Sequence, residues 1–313
     1  MSTLYLTKPG FLLAVFFIAL SFNLSACNYS DELGGGNLKV LQEKTFDTTP
    51  GKDFVLKASS GDVIITTSDS PQVYIKILGN ERAAKVMEFH YEPSGSGVIV
   101  TAEKKGRLNL FNWANNVKLR FEVKLPSNYN ANISSSGGDI TLSNLNGEVS
   151  LHSSGGDILT NNTQSSLNAT TSGGDIKCEN NIGPMKLQTS GGDVTCLGFK
   201  GNLTASTSGG DISLNGKDSQ IKAHTSGGGI ELTYSGENKG INLSSSGGSV
   251  KLNLPANFNA KAELYTTGGS VKCAFGGNNA KAISESKFIA DINNGGNQLL
   301  VKTSGGDIDV TKH

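Results

Sequence analysis

The sequence predicts an all-β protein whose larger part is a parallel β-solenoid with coils of about 18 residues, and three observations support this fold class. First, Ser-Gly-Gly-Asp and close variants of it recur at a constant spacing between Gly138 and Gly228. Second, apolar and polar residues alternate after each copy, as they do in a strand with one buried face. Third, the 40 glycines and the many Ser, Thr and Asn residues are typical of short strands joined by tight turns.

Residues 1–27 resemble a bacterial export signal. The apolar stretch "FLLAVFFIAL" is too short to be expected to span a membrane, and "LSAC" at 24–27 resembles a lipobox. Cys27 is therefore predicted to carry lipid and to become the new N-terminus; an ordinary secretory signal cut near Ala26 is the alternative. Several acyl chains would anchor the protein stably. By resemblance to bacterial lipoproteins, Asn28 fits transfer to the outer membrane, and residues 28–37 read as a polar tether.

Residues 38–126 are predicted to form a β-rich cap that continues into the solenoid. Strand-like runs such as "QVYIKILG" and "VKLRFEVKLP" are longer and more aromatic than those of the repeats. A solenoid needs such a cap because an open sheet edge invites aggregation. Trp113 is predicted to be buried in the cap, with an exposed ligand-contact loop, "RLNLFNWANN", as the alternative.

Residues 127–313 are predicted to form the solenoid. Each coil has one strand before and one after the Gly-Gly pair, with inward columns such as Ile140 and Leu142 or Val149 and Leu151. Apolar residues do not recur every six residues, so a flattened two-sheet coil or a small right-handed helix is favoured over a hexapeptide β-helix. About ten coils would extend roughly 48 Å. The last step, from Gly269 to Gly306, leaves room for two coils with one signature lost, and 275–304 leaves room for an irregular insertion.

The Gly-Gly pairs are predicted to be corners between strands. Two successive glycines permit positive φ without a Cβ clash, and the Asp that follows can accept backbone N–H bonds. A Val in place of a glycine in a middle coil is expected to be costly. The predicted corner glycines are Gly137, Gly138, Gly155, Gly156, Gly173, Gly174, Gly191, Gly192, Gly209 and Gly210.

The aspartates of the repeat would stack in one ladder, here called the Asp column, which consists of Asp139, Asp157, Asp175, Asp193 and Asp211. Carboxylates about 4.8 Å apart repel by roughly 0.9 kcal/mol in water, which would favour a bound cation such as Ca²⁺. The column becomes Gly229, Ser249 and Ser270 without loss of the repeat, which favours a turn-capping role over a metal ladder. No cofactor is predicted.

Cys178 and Cys196 are one repeat apart in an inward column and should be neighbours. They are either two small core residues or a disulfide, which an oxidising envelope would permit. Cys273 has no partner in register and is expected to be buried.

The composition and the motifs argue against nucleic-acid binding and catalysis. The chain has 27 basic and 27 acidic residues, whereas phosphate binding needs a concentrated positive field. His152 and His224 share an outward position but are four coils apart, about 19 Å. The chain is therefore predicted not to be an enzyme; a carbohydrate-active β-helix enzyme and a Ca²⁺-binding repeat protein are the alternatives.

The run "FEVKLP", the "TSGGDI" coils and the ending "INNGGNQLLVKTSGGDIDV" resemble a bacterial family of candidate adhesin domains of unknown function, over roughly residues 40–313. The resemblance implies a β-helical envelope protein without known catalytic residues. With the lipobox, it indicates a lipid-anchored outer-membrane protein that faces the periplasm or the medium. We predict that the protein is a monomer and that its partner is a surface glycan or a protein.

Overall fold

The computed structural model describes residues 38–95, 97–105 and 116–313, which belong to one compact unit. The predicted signal with Cys27, the tether, Trp113 and most of the loop around it lie outside the described residues. None of the helices in the described part of the chain has the length and apolar character needed to cross a membrane.

The described part of the N-terminal region has seven strands and one short helix. The strands are β1 (Lys39–Asp47), β2 (Asp53–Ala58), β3 (Asp62–Ser68), β4 (Gln72–Gly79), β5 (Met87–Ser94), β6 (Gly97–Lys104) and β7 (Leu119–Pro126). The helix α1 (Glu81–Val86) begins after Asn80, whose side-chain oxygen accepts a hydrogen bond from the backbone N–H of Ala83 at 2.9 Å.

The repeats form pairs of short strands. They are β8 (Asn130–Ser135), β9 (Ile140–Ser143), β10 (Val149–Ser153), β11 (Ile158–Asn161), β12 (Leu167–Thr171), β13 (Ile176–Glu179), β14 (Met185–Gln188), β15 (Val194–Lys200), β16 (Leu203–Thr207), β17 (Ile212–Lys217), β18 (Ile221–Thr225), β19 (Ile230–Ser235), β20 (Ile241–Ser245) and β21 (Val250–Leu254). The C-terminal strands are β22 (Ala260–Thr266), β23 (Val271–Cys273), β24 (Gly277–Ser284), β25 (Lys287–Ile292), β26 (Gln298–Thr303) and β27 (Ile308–Lys312).

The strands form two sheets. Sheet A has 13 strands in the order β1-β4-β7-β3-β9-β11-β13-β15-β17-β19-β21-β27-β23. Sheet B has 14 strands in the order β24-β25-β22-β26-β20-β18-β16-β14-β12-β10-β8-β2-β6-β5. Neighbouring coils pair in parallel with a register of one repeat, so Ile158 lies between Ile140 and Ile176. This arrangement confirms the predicted all-β solenoid and gives it two sheets.

The coils do not follow chain order at the two ends of the solenoid. The C-terminal coil, β26 and β27, lies between the coil of β20 and β21 and that of β22 and β23. Residues 277–292 form an antiparallel hairpin of β24 and β25, so the long step before Gly306 contains no second coil. At the other end, the coil of β2 and β3 likewise lies inside that of β6 and β7.

Antiparallel strands end both sheets at the N-terminal side of the solenoid and sheet B at the far side, whereas sheet A ends there in β23, which pairs parallel with β27. β4 pairs antiparallel with β7 and β1 with β4 in sheet A, while β5 pairs antiparallel with β6 in sheet B. The hairpin of β24 and β25 does the same at the far end of sheet B. β2 pairs with β8 and β3 with β9, so the cap shares both sheets with the repeats. The domain boundary at residue 126 stays a prediction, since neither sheet has a gap there.

The core is a thin, continuous ladder between the two sheets. The predicted inward residues are buried from Ile140 to Leu252, and again at Ile308 and Val310. Each packs on the equivalent residues of the coils on either side, about 4.8 Å away. Val271 is only partly buried because its strand, β23, is the last of sheet A.

Candidate functional site

The Asp column lies at the corner where each coil enters sheet A, and its five side chains are exposed. The backbone N–H of Asp157 donates to Oδ1 of Asp139 at 2.8 Å, and the next three coils repeat this bond at the same distance. Beyond the last aspartate, the N–H of Gly229 donates to Asp211 at 2.7 Å. Each carboxylate therefore caps a backbone donor of the following coil.

The same bonds limit what the Asp column can offer a cation. One oxygen of each carboxylate is already occupied by a neighbouring N–H group. Within residues 38–95, 97–105 and 116–313, no group of three or more His, Cys, Asp or Glu side chains is arranged to hold a metal ion. The Ca²⁺ ladder stays a prediction.

Asp307 has the same role in the inserted C-terminal coil. Its Oδ1 accepts hydrogen bonds from the backbone N–H of Ser270 at 2.7 Å and from the Ser270 hydroxyl at 3.1 Å. These two hydrogen bonds lower the pKa of Asp307 below its usual value. The sequence does not reveal this pair, because β27 lies beside β23 only after the C-terminal coil has been inserted.

The Gly-Gly pairs form the predicted corners, but the predicted reason, positive φ, is wrong. Neither glycine of any regular pair has φ in the left-handed region. The second glycine lies against the backbone of the preceding coil, and a Cβ on Gly174 would stand 2.3 Å from the carbonyl oxygen of Gly156. A Cβ on the first glycine, Gly173, would meet nothing closer than 3.5 Å. Close stacking of the coils therefore requires the second glycine of each pair.

Positive φ occurs at the opposite corner of the coil. Asn144, Asn162 and Asn180 have φ values of 62°, 53° and 54°, and Gly198 follows in the same ladder with 68°. Asn enters this region more readily than other residues with a side chain. The Asn or Gly that recurs once per repeat was a signal for this corner that the sequence analysis did not use.

A buried column of hydroxyl groups, which the sequence analysis missed, holds the Gly-Gly corner. Thr171 Oγ1 donates to the carbonyl oxygen of Gly156 in the preceding coil at 2.9 Å and accepts from the N–H of Gly174 at 3.4 Å. A Ser or Thr three residues before the second glycine was the signal in the sequence. The members of this hydroxyl column are Ser135, Ser153, Thr171, Thr189, Thr207, Thr225, Ser245, Thr266 and Thr303, all buried.

A shallow groove runs along sheet A beside the Asp column and is here called the sheet A groove. Its two sections have volumes of about 380 and 450 Å³. The Asp column lines it together with one outward side chain of sheet A per coil, at a spacing of about 4.8 Å. The outward residues are Thr141, Leu159, Lys177, Thr195, Ser213, Glu231 and Lys251. Such a face offers regularly spaced hydroxyl, apolar and charged contacts to an extended partner.

Cys178 and Cys196 are register partners in adjacent strands, and both are fully buried; they are here called the core cysteine pair. Their thiols are free in the structure. The contact with the Cys178 thiol, together with burial, raises the pKa of Cys196 well above its usual value. The disulfide stays a prediction. Cys273 lies beside Val310 and is half-buried, and desolvation raises the pKa of its thiol.

The histidines remain apart. His152 and His224 lie in one outward column of sheet B, with Thr170, Gln188 and Ser206 between them. They therefore cannot bind one metal ion or act on one bond. The Nδ1 of His224 is 2.9 Å from the hydroxyl of Ser244, its neighbour in the next coil.

Residues 52–311 match the family model described as Toastrack DUF4097. The chain belongs to the Toastrack DUF4097 family. The matched range runs from the start of the coil of β2 into the last strand, β27, and so includes strands of both sheets but not β1. This membership confirms the resemblance to a domain family of unknown function.

Three of the solved structures similar to this Toastrack chain are the following. A candidate adhesin of Bacteroides fragilis is 14% identical, with 87% of this chain and 97% of that chain covered and a TM-score of 0.41. A candidate cell adhesion protein of Clostridium sporogenes is 14% identical, with coverage of 88% and 100% and a TM-score of 0.24. A candidate lipid-binding protein of Parabacteroides distasonis is 13% identical, with coverage of 90% and 98% and a TM-score of 0.44. No curated protein matches the chain.

Proposed function

We propose that this Toastrack chain is a non-catalytic lipoprotein of the bacterial envelope that presents its rigid solenoid to a surface glycan or a protein. Lipid on Cys27 would anchor it in the outer membrane. The observation that carries the proposal is the sheet A groove, whose outward side chains repeat once per coil along a face stiffened by the Asp and hydroxyl columns.

The geometry of the polar groups supports binding rather than catalysis. Acid and base side chains stand in columns, and the Asp column is engaged with backbone N–H groups instead of converging on one point. His152 and His224 are held four coils apart. Catalysis needs a nucleophile, a base and a stabilising group around one reacting atom, and these columns do not provide it.

The lipid anchor is consistent with the position of the solenoid in the chain. β1 begins at Lys39, and the residues from Cys27 to that strand could extend about 40 Å at most. The solenoid would therefore stand close to the bilayer.

The anchor is tested by metabolic labelling with a palmitate analogue, followed by separation of membrane and soluble fractions. The wild-type chain is expected to carry label and to remain with the membrane, whereas Cys27→Ser is expected to lose both properties. Cys273→Ser makes the same substitution at a half-buried cysteine and should keep the label. Label on the Cys27→Ser chain would overturn the lipoprotein proposal.

Surface display and binding require a second experiment. Protease treatment of intact cells should remove the solenoid if it faces the medium, and full protection would assign it to the periplasmic side and remove the adhesin role. A glycan array run beside a polysaccharide-cleavage assay is expected to show binding without release of reducing ends. Release of reducing ends would instead support a carbohydrate-active enzyme.

A further inference from the structure

A second groove, here called the corner groove, lies at the corner opposite the Gly-Gly pairs, near the C-terminal end of the solenoid. Its volume is about 900 Å³, within the range of small-molecule sites in proteins. Its lining comes from the loops that precede five neighbouring strands of sheet B, in the order β16, β18, β20, β26 and β22. Its polar lining includes Lys200, Asp218, Glu237, Lys239, Asn257 and Asn297.

The corner groove exists because the repeat is longer here. In a regular coil the first inward residue of the second strand comes nine positions after that of the first strand, as Val149 does after Ile140. From Ile230 to Ile241 the separation is two residues longer, and the additional residues fall at this corner. Insertions in solenoid repeats map to loops on one face, which is often the binding face.

The loops that line the corner groove are held by amide hydrogen bonds. The side-chain nitrogen of Asn238 donates to the carbonyl oxygens of Asn259 at 3.1 Å and Asn297 at 2.8 Å. The side-chain nitrogen of Asn297 donates back to the carbonyl oxygen of Asn238 at 2.8 Å. A lining that is already ordered loses little conformational freedom when a ligand binds.

The charges of the corner groove balance. Lys200 and Lys239 face the groove together with Asp218 and Glu237, and the Lys239 ammonium lies 2.5 Å from the Glu237 carboxylate. This hydrogen bond raises the pKa of Lys239. A site for an anion or a cation would concentrate one sign of charge. Here donors and acceptors are mixed, and the exposed side chain of Asn257 adds further donors and an acceptor.

We propose that the corner groove binds a neutral oligosaccharide through hydrogen bonds to its hydroxyl groups. A polyol can use donors, acceptors and paired charges together and needs no net field. The proposal rests on the proposed function as a glycan-binding surface protein and adds to it a site separate from the sheet A groove. Phe258 lies beneath the lining but is buried against Tyr234 and offers no ring for stacking, so affinity in the millimolar range is expected.

The test uses the full chain in a detergent without a sugar headgroup. Maltohexaose, cellohexaose and chitohexaose are titrated by calorimetry, with hexagalacturonate as the acidic comparison. The double variant Glu237→Ala/Lys239→Ala removes both partners of an ion pair and leaves the net charge unchanged. The matched control, Lys39→Ala/Glu81→Ala, removes an exposed ion pair of the N-terminal region that lines neither groove and whose Nζ and Oε1 atoms are 3.4 Å apart.

At least one neutral hexasaccharide is expected to bind the wild-type chain. Its affinity should be about tenfold lower for the groove variant and the same as wild type for the control variant. Equal binding by both variants, preference for hexagalacturonate, or no binding of any neutral hexasaccharide would overturn the assignment. Failure of this assignment can be told apart from failure of the proposed function, because membrane anchoring and surface display are measured independently of sugar binding.

Discussion

Alanine in place of Gly174, compared with alanine in place of Gly173, separates the two explanations of the Gly-Gly corner. If the pair were needed for positive φ, both substitutions would be costly. The structure predicts an asymmetric result, because only a Cβ on the second glycine would clash with the backbone of the preceding coil. A Cβ on Gly174 would lie 2.3 Å from the carbonyl oxygen of Gly156, while a Cβ on Gly173 has 3.5 Å to its nearest neighbour.

The magnitude follows from the contacts that must move. Real Cβ contacts are essentially never shorter than 3.0 Å, so the carbonyl of Gly156 must retreat by about 0.7 Å. That movement weakens its hydrogen bond from Thr171 at 2.9 Å and the bond from the N–H of Asp175 to Asp157 at 2.8 Å. With overpacking at about 1–3 kcal/mol and each weakened bond at about 1 kcal/mol, Gly174→Ala should lower the free energy of unfolding by about 3–5 kcal/mol.

Urea denaturation followed by far-UV circular dichroism measures this difference. Gly173→Ala is the matched control, and its free energy of unfolding should stay within about 1 kcal/mol of the wild type, since φ there is not left-handed. Repeat proteins unfold in units of neighbouring coils, so a variant can change which coils unfold together. The urea midpoints should therefore be compared only between variants whose unfolding transitions have the same slope. Equal losses for the two variants, or a larger loss for Gly173→Ala, would refute the close-packing explanation.

Three further predictions concern the hydroxyl column, the C-terminal coil and the cysteines. Thr171→Val leaves the buried carbonyl of Gly156 without its donor and should cost about 1–3 kcal/mol in urea denaturation, whereas Thr171→Ser should retain most of the stability; equal losses would contradict the hydrogen-bond role. Asp307 has a folded-state pKa below its unfolded value, so its contribution to stability is present above about pH 4 and is lost as the pH falls through the folded pKa. Asp307→Asn should therefore reduce the fall of the melting temperature with decreasing pH. An unchanged dependence on pH would show that the hydrogen bonds from Ser270 do not contribute to it. In the native protein, iodoacetamide should label half-buried Cys273 before the core cysteine pair; a thiol count in denaturant, before and after reduction, would reveal a disulfide.

The regular coils could be predicted from the sequence because their information is local and repeated. Each Ile, Val or Leu after a Gly-Gly pair points inward by strand alternation, and the constant repeat length brings equivalent positions into register. The capping role of the Asp column follows from the same periodicity, since a residue that recurs at a turn exit faces its own copy in the next coil.

The parts that depend on long-range pairing could not be predicted. The position of β27 between β21 and β23, which brings Asp307 to Ser270, involves residues far apart in the chain with no repeat to connect them. The contact that makes Gly174 necessary is a distance between two backbones, and sequence shows only that a glycine is present. The corner groove combines loops from separate segments of the chain. The change in repeat length reveals only one of these loops in the sequence.

The sequence by itself determined the solenoid, its coil length, its inward columns and the family to which the chain belongs. Periodic side-chain patterns specify these features because every coil makes the same contacts with the next. Tertiary structure alone decided the order of the coils at both ends, the closing antiparallel strands and the reason for each second glycine. Those features depend on which sheet edge a strand pairs with and on how closely two backbones approach each other. The residues of a single coil specify neither the pairing nor the distance.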